Sequence, residues 1–278
     1  MNVAVTGASG LLGRAIVDAL MEAGHAVTGI DAVPATTQST AHLTVDLRDL
    51  GDTILAFRGA EAIVHAAAIP RPTGRTARDV FATNMALMFN AVEGADTLGI
   101  PRFVYASSFS VLGFPFSVQP VDLRYLPVDE AHPVGAQDAY AVSKWLGEEM
   151  VEAAVRRGAF SAVSLRMPWI QGPATFMKEV GPRRLDREGS SQDLWSYIDS
   201  RDAAAGFVAA LAAPVSGHLR LFLSAADTYS ETPTADLIRD AYPKVALRRP
   251  LAGHASTIDT SAARAALGFV PKHSWRQY

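Results

Sequence analysis

The sequence predicts an α/β protein built on a doubly wound parallel sheet, and three observations predict it. Short apolar runs alternate with longer segments of helical spacing through the first ~165 residues, as a parallel sheet covered on both faces requires. A glycine-rich turn joins the first such run to the first helical segment. An aspartate closes the second run, where ligands of such sheets are held.

The elements follow in order. Asn2–Thr6 is a buried-strand run, and Leu11–Ala23 carries Leu12, Ile16, Ala19 and Leu20 on one helical face before Gly24 stops it. Ala26–Asp31 and His42–Asp46 read as strands, Asp49–Phe57 as a helix and Ala62–His65 as a fourth strand. Thr76–Leu98 is a long helix stopped by Gly99-Ile100-Pro101. Phe103–Ser107 is a strand, Ala139–Arg157 a helix and Ala162–Arg166 a strand. Beyond Pro168 the pattern is irregular, with further elements expected at Leu194–Ile198, Arg201–Ala212, Leu219–Leu223, Pro233–Asp240 and Asp259–Leu267. The expected organisation is a nucleotide-binding domain over 1–167 and a small C-terminal substrate-binding lobe over 168–278 that returns in part to the sheet.

Composition excludes several classes. With 25 basic and 28 acidic residues the net charge is -3, which gives no electrostatic footprint for nucleic acid or an anionic membrane. The absence of cysteine removes disulfides, thiolate chemistry and cysteine-ligated metal. The seven histidines are scattered without metal-ligand spacing, so no metal is expected. No apolar run approaches the ~18 residues of a membrane span, and the N-terminus reads as a strand rather than a signal peptide. A cytoplasmic protein is the expectation.

Chemistry begins at Thr6-Gly7-Ala8-Ser9-Gly10-Leu11-Leu12-Gly13, between strand and helix. Glycines there allow a tight turn and close approach of a pyrophosphate, whose charge is favoured at a helix N-terminus. Glycine spacing alone also suits a packing turn; the strand before, the helix after and the acid on the next strand make a dinucleotide site. That acid is Asp31, whose carboxylate suits the adenosine ribose hydroxyls and repels a 2′-phosphate. No arginine or lysine follows it through Ser39, which favours NAD over NADP.

Tyr140 and Lys144 stand four apart on a helix, on one face. A free phenol titrates near pH ~10, so making it a base at neutral pH takes about 4 kcal/mol, supplied by an ammonium neighbour and an oxidised nicotinamide. A Tyr-xxx-Lys pair also arises by chance on surface helices. Here, however, Ser107-Ser108 closes an upstream strand at the sheet's carboxyl edge, where a serine can meet a substrate oxygen.

Together these pieces resemble the short-chain dehydrogenase/reductase superfamily, in its extended branch of NAD-dependent epimerases and dehydratases. The resemblance spans residue 2 to about residue 275 and implies a Rossmann fold. It implies Tyr140, Lys144 and Ser108 as catalytic residues. Cofactor contacts are implied at Gly7, Ser9, Gly10, Leu11, Leu12, Gly13, Asp31, Asp46, Leu47, His65, Ala66, Ala67, Ala68, Asn84 and Ser107, as well as Tyr140, Lys144, Pro168 and Ile170. Ser108, Phe109, Ser110, Trp169, Gln171 and Trp195 are the implied substrate positions.

Departures from the family pattern bear on the substrate. Nucleotide-sugar members carry a diphosphate-facing asparagine, a landmark tyrosine and a diphosphate-binding arginine where this chain has Trp169, Gln171 and Trp195. Indoles offer one N–H each and no charge. A substrate without a diphosphate fits better, although Arg183, Arg184 and Arg187 lie between the tryptophans and offer phosphate ligands from other positions. The Ser107–Phe114 stretch and the Tyr-xxx-Ser-Lys helix also resemble the short uronate dehydrogenases of the branch. The expected activity is therefore hydride transfer between NAD and a small sugar-like or sugar-acid substrate. The alternatives are a nucleotide-sugar epimerase or dehydratase that retains NAD, and a non-catalytic NAD sensor, which typically lacks the Tyr/Lys pair. The helices Thr76–Leu98 and Ala139–Arg157 resemble those through which the family forms homodimers.

Overall fold

The computed structural model describes residues 1–35 and 40–278. Of the cation-free stretch that ends at Ser39, positions 36–39 lie outside the described residues. In chain order the elements are β1 (Asn2–Thr6), α1 (Leu11–Glu22), β2 (Ala26–Asp31), β3 (Ala41–Thr44), α2 (Leu50–Phe57), β4 (Ala62–His65), α3 (Ala77–Thr97) and β5 (Arg102–Ser108). Then come β6 (Tyr125–Leu126), α4 (Ala139–Arg156), β7 (Ser161–Met167), β8 (Trp169–Gln171), α5 (Pro173–Glu179), β9 (Tyr197–Asp199) and α6 (Ser200–Ala212). β10 (His218–Phe222), α7 (Thr234–Ala241), β11 (Ala246–Leu247) and α8 (Ser261–Leu267) complete the chain. Among the described residues no helix is long and apolar enough to cross a membrane.

Seven parallel strands form the central sheet in the order β10-β7-β5-β4-β1-β2-β3. The chain winds outward from β1 through β2 to β3, then restarts at β4 on the other side of β1. The reversal between β1 and β4 opens a crevice at the carboxyl ends of the strands, the place where such sheets bind ligands. This is the doubly wound Rossmann arrangement.

Each face of the sheet buries its own core. Ile16 and Leu20 of α1, Phe207 and Leu211 of α6 and Ala263 of α8 pack on Val3, Val64, Val104 and Leu165. On the other face Phe57 of α2, Met88 and Ala95 of α3 and Val151 of α4 pack on Ile63, Phe103 and Tyr105. Each fully buried large apolar side chain contributes about 1.5–3 kcal/mol. Alternation along β5 sends Tyr105 and Ser107 toward α4, and that direction shapes the site.

Helix starts follow their capping residues. Asp49 accepts the Asp52 N–H (2.9 Å) ahead of α2, Thr76 the Asp79 N–H (3.1 Å) ahead of α3, and Asp138 the Tyr140 and Ala141 N–H groups (2.9 and 3.0 Å) ahead of α4. The last helix starts at Ser261 instead of Asp259, because Asp259 turns its carboxylate onto the Ser261 N–H (2.8 Å).

Region 168–278 is interleaved with the sheet. β10 pairs in parallel with β7, and α6 packs on the same face as α1. The short pairs β8–β9 and β6–β11 and the helix α5 have too few residues to show a period, which is why the sequence does not announce them. Within the expected element at Leu194–Ile198 the strand begins only at Tyr197. Leu194 and Trp195 both sit in the left-handed region (φ 53° and 52°), held by the Asp193 carboxylate on the Trp195 N–H (3.0 Å).

Candidate functional site

At the β1/β4 reversal the glycine positions are dictated by contact. A Cβ on Gly7 (φ +71°) would lie 2.7 Å from the Ala67 nitrogen, and one on Gly13 only 2.0 Å from the Gly7 carbonyl oxygen. Gly10 and Leu11 are exposed at the lip, Ser9 and Leu12 are half-buried, and Gly10 N donates to Gly7 O (3.0 Å). The result is a tight, bare-backbone turn opening onto the first helix, the cradle a pyrophosphate needs. Asp31 holds it from the side, accepting the Ser9 N–H (2.9 Å) and the Val33 N–H (3.3 Å). These residues fit a bound dinucleotide.

Further along the crevice, Asp46 is half-exposed and accepts three bonds from the Arg48 guanidinium (2.9, 3.0 and 2.5 Å), which hold its carboxyl below the usual range. Leu47 is buried, and its carbonyl takes the Asn90 amide (2.9 Å).

Thr6 organises the β4 side. Its hydroxyl accepts the Ala66 and Ala67 N–H groups (both 3.1 Å), so its own proton goes to His65 Nδ1 (2.9 Å), leaving the imidazole hydrogen on Nε2. His65 lies against the Tyr105 ring (6.0 Å), and burial, with the Lys144 charge, pushes its pKa down to about 3. It is therefore a neutral wall beside partly exposed Ala66, Ala67 and Ala68. Asn84 ties the following loop to α4, pairing both ways with Ile69 (2.8 and 3.2 Å) and donating to Ser143 Oγ (3.1 Å). Its amide thus acts on the walls of the crevice.

Tyr140, Lys144 and Ser108 meet above β5. Ser108 Oγ accepts both Ser110 N (3.1 Å) and Ser110 Oγ (2.9 Å), which leaves its own proton for the Tyr140 oxygen. That donation lowers the phenol pKa, but burial outweighs it and Asp138 opposes it, so the phenol is pushed up to about 12. Lys144 is buried, donates to the Ala106 carbonyl (2.7 Å) and lies 5.0 Å from the Tyr105 ring centroid and 5.8 Å from that of Tyr140. Burial drives its pKa down to about 7, and Glu148 pulls it back up.

Glu148, one turn beyond Lys144, is fully buried. It accepts Ser107 Oγ (2.5 Å) and both arms of Arg166 (2.9 and 2.7 Å), with Arg220 at 3.6 Å. The Ser107 hydroxyl, read from the sequence as a cofactor contact, is therefore spent inside the sheet–helix interface. Thr6, Asp138, Ser143, Glu148 and Arg166 escaped the sequence reading as site residues. Thr6 and Ser143 stand inside the quoted motifs, and Glu148 is the next member of the Tyr140–Lys144 spacing.

The substrate side differs more. Phe109 is 2% exposed and stacked on Phe114 (5.5 Å), so its ring belongs to the core. Ser110 is buried and acts on Ser108. Gln171 is buried with its carbonyl on the Thr175 hydroxyl (2.6 Å). Trp195, expected to face substrate, has no exposed surface; it packs with Phe176 and Tyr229, and its indole donates to the Arg187 carbonyl (3.3 Å). Its left-handed backbone turns the ring inward. Trp169 remains half-buried, with the Arg183 guanidinium 5.5 Å from its ring centroid. Pro168 is buried, and half-buried Ile170 packs on the sheet core.

The three loop arginines are engaged within the fold. Arg183 meets Asp193 (3.2 Å) and the Gly189 carbonyl (2.9 Å), Arg184 meets Glu231 (3.0 Å) and lies 4.8 Å from the Trp275 ring centroid, and Arg187 meets Asp240 (3.2 Å).

Comparison with known proteins agrees with this geometry. Residues 3–222 match the family model described as NAD dependent epimerase/dehydratase family. A putative UDP-glucose 4-epimerase from Methanocaldococcus jannaschii is 28% identical over 206 residues, 71% of this chain and 62% of that protein. This chain thus matches less than two thirds of that relative's length. An L-arabinose 1-dehydrogenase (NAD(P)(+)) from Haloferax volcanii is 30% identical over 175 residues, 61% of this chain and 67% of that protein. A crystal structure of a short-chain dehydrogenase/reductase superfamily protein from Agrobacterium tumefaciens with bound NAD superposes with a TM-score of 0.76 at 25% identity, covering 100% of this chain and 94% of that one. With its strand order, its bare-backbone turn and the match over most of its length, the chain belongs to the NAD-dependent epimerase/dehydratase family.

Proposed function

We propose that this protein is an NAD-dependent dehydrogenase that oxidises a secondary hydroxyl of a small sugar or sugar acid. The observation that carries the reading is the commitment of Arg183, Arg184 and Arg187 to carboxylates, carbonyls and indole faces of the protein itself. A diphosphate would have to displace those pairs. Trp169 offers instead an indole face for a sugar ring. The arabinose dehydrogenase among the relatives supports a free sugar.

The bound cofactor supplies the hydride acceptor. This chain does the rest. A substrate oxygen entering between Ser108 and Tyr140 would take over the serine proton that Tyr140 accepts in its absence, where charge develops. Tyr140 takes the hydroxyl proton as the C–H hydride leaves, so the carbinol carbon becomes a carbonyl and the proton ends on the phenol oxygen. The Lys144 ammonium, which Glu148 supports against burial, stabilises the phenolate. Asp31 would hold the adenosine ribose hydroxyls of a bound NAD, and the turn over Gly7–Gly13 its pyrophosphate.

The test is incubation of purified protein with NAD and a panel of uronates, aldoses, polyols and UDP-sugars, following NADH absorbance and product identity. Stoichiometric NADH from a free sugar or sugar acid establishes the dehydrogenase. Isomerised UDP-sugar without NADH would overturn it in favour of an epimerase with retained NAD.

The assembly we infer is a homodimer. Phe81 (37% exposed) and Phe89 (50%) stand eight residues apart on α3 with half-buried Met85 between them, and α3 packs along α4. A second copy of this helix pair would cover the stripe. Sedimentation at micromolar concentration should show a dimer, and Phe89→Glu should make it a monomer; a wild-type monomer refutes the assignment.

A further inference from the structure

Asp138 stands at the start of the catalytic helix with two unlike oxygens. Oδ1 accepts the Tyr140 and Ala141 N–H groups at 2.9 and 3.0 Å, while Oδ2 is buried and meets no hydrogen-bond partner among the described residues. Capping does not require this charge, since serine or asparagine satisfies the same N–H groups about as well. A buried carboxylate oxygen without a partner is costly. The cap of α6 shows the cheaper arrangement, Asp199 being bonded to Arg201 (2.9 and 2.6 Å) and to Tyr278. At Asp138 the charge is left uncompensated two residues from the phenol.

We propose that Asp138 is a positioning residue for proton transfer: it starts α4 so that the Tyr140 phenol faces Ser108, and its unpaired oxygen keeps that phenol protonated until positive charge enters the site. The inference rests on the reading of Tyr140 as the acid/base.

The groups around the phenol make the sign definite. From β5 it meets Ser108, which favours the phenolate, and Tyr105, whose own ionisation opposes that of Tyr140. Phe116 lies edge-on at 6.3 Å and carries no charge. From its own helix Lys144 favours the phenolate, and Asp138 opposes it. Burial also raises the Asp138 carboxyl, although its N–H bonds resist this. With two opposite charges flanking one phenol, the proton leaves readily only when a further cation tips the balance. An oxidised nicotinamide would bring such a charge and a reduced one would not, and Asp138 would set the level from which that charge draws the phenol's ionisation down.

The experiment follows Tyr140 itself, without a substrate. Phenolate absorbance is titrated over roughly pH 6 to 11 with saturating NAD, each protein being compared with its Tyr140→Phe counterpart. In Asp138→Asn and Asp138→Ser, both able to cap, the Tyr140 midpoint should move about one pH unit lower, a tenfold larger ionisation constant. Circular dichroism confirms that the fold is kept. Midpoints equal to wild type in both folded variants would overturn the proposal and leave Asp138 a cap alone. If Tyr140→Phe removes no titrating absorbance from wild type, the acid/base assignment falls and the proposal falls with it. That outcome is distinct from the first.

Discussion

Tyr140→Phe should lower kcat/KM by about 10²–10⁴-fold, the range for removal of a positioned proton-transfer group. The substitution deletes one oxygen and little else. The ring keeps its edge-on contact with Phe116 and its place near the Lys144 ammonium, so the melting temperature and the NAD dissociation constant should hardly change. What disappears is the acceptor for the Ser108 proton and for the substrate's own. The measurement is steady-state kinetics on whichever panel compound produces NADH, beside a thermal melt and NAD titration. A loss of less than about tenfold, with fold and NAD binding intact, would mean that another group moves the proton.

Glu148→Ala should cost about 3–5 kcal/mol, the range for breaking a buried pair by removing one partner. Arg166 is the reason. Its guanidinium is 3% exposed, both of its bonds to carboxylate go to Glu148, and a third nitrogen is already without a partner. Without Glu148 the charge stays buried and unpaired. Against a typical total stability of about 5–15 kcal/mol, the midpoint in urea should fall sharply. The paired change Glu148→Leu/Arg166→Met should recover most of that loss, because two apolar groups replace two charges. Activity should not return with it: Lys144, whose pKa burial pulls down to about 7, would have lost the carboxylate that raises it. A midpoint within about 1 kcal/mol of wild type for Glu148→Ala would show that Arg166 finds another partner.

Those two variants divide what was legible from what was not. That Tyr140, Lys144 and Ser108 come together was legible before any fold was known, because a spacing of four puts two side chains on one helical face and a strand-end serine lies at the ligand edge of the sheet. The glycines at 7, 10 and 13 were legible for a similar reason: a strand-to-helix turn is a local structure, and its backbone demands appear in sequence as missing side chains. A parallel, doubly wound sheet was legible from the βα alternation, whereas the order of its strands came from the structure.

The partners of those groups were not legible. Glu148 is set by contacts from residues 107, 166 and 220, brought together through the pairing of β5 with β7 and of β7 with β10. No spacing along the chain encodes which carboxylate meets which guanidinium across three strands. Phe109 and Trp195 were misplaced because aromatic residues suit a substrate wall and a core equally well, and the left-handed turn at 194–195 sends the indole inward. The sequence by itself determined the glycine turn and the helical face that Tyr140 and Lys144 share, which depend on contacts within a few residues, and the alternation from which a parallel sheet follows. The tertiary structure alone decided the burial that shifts Tyr140 and Lys144 and the engagement of the loop arginines, since burial and charge pairing arise between residues far apart in the chain.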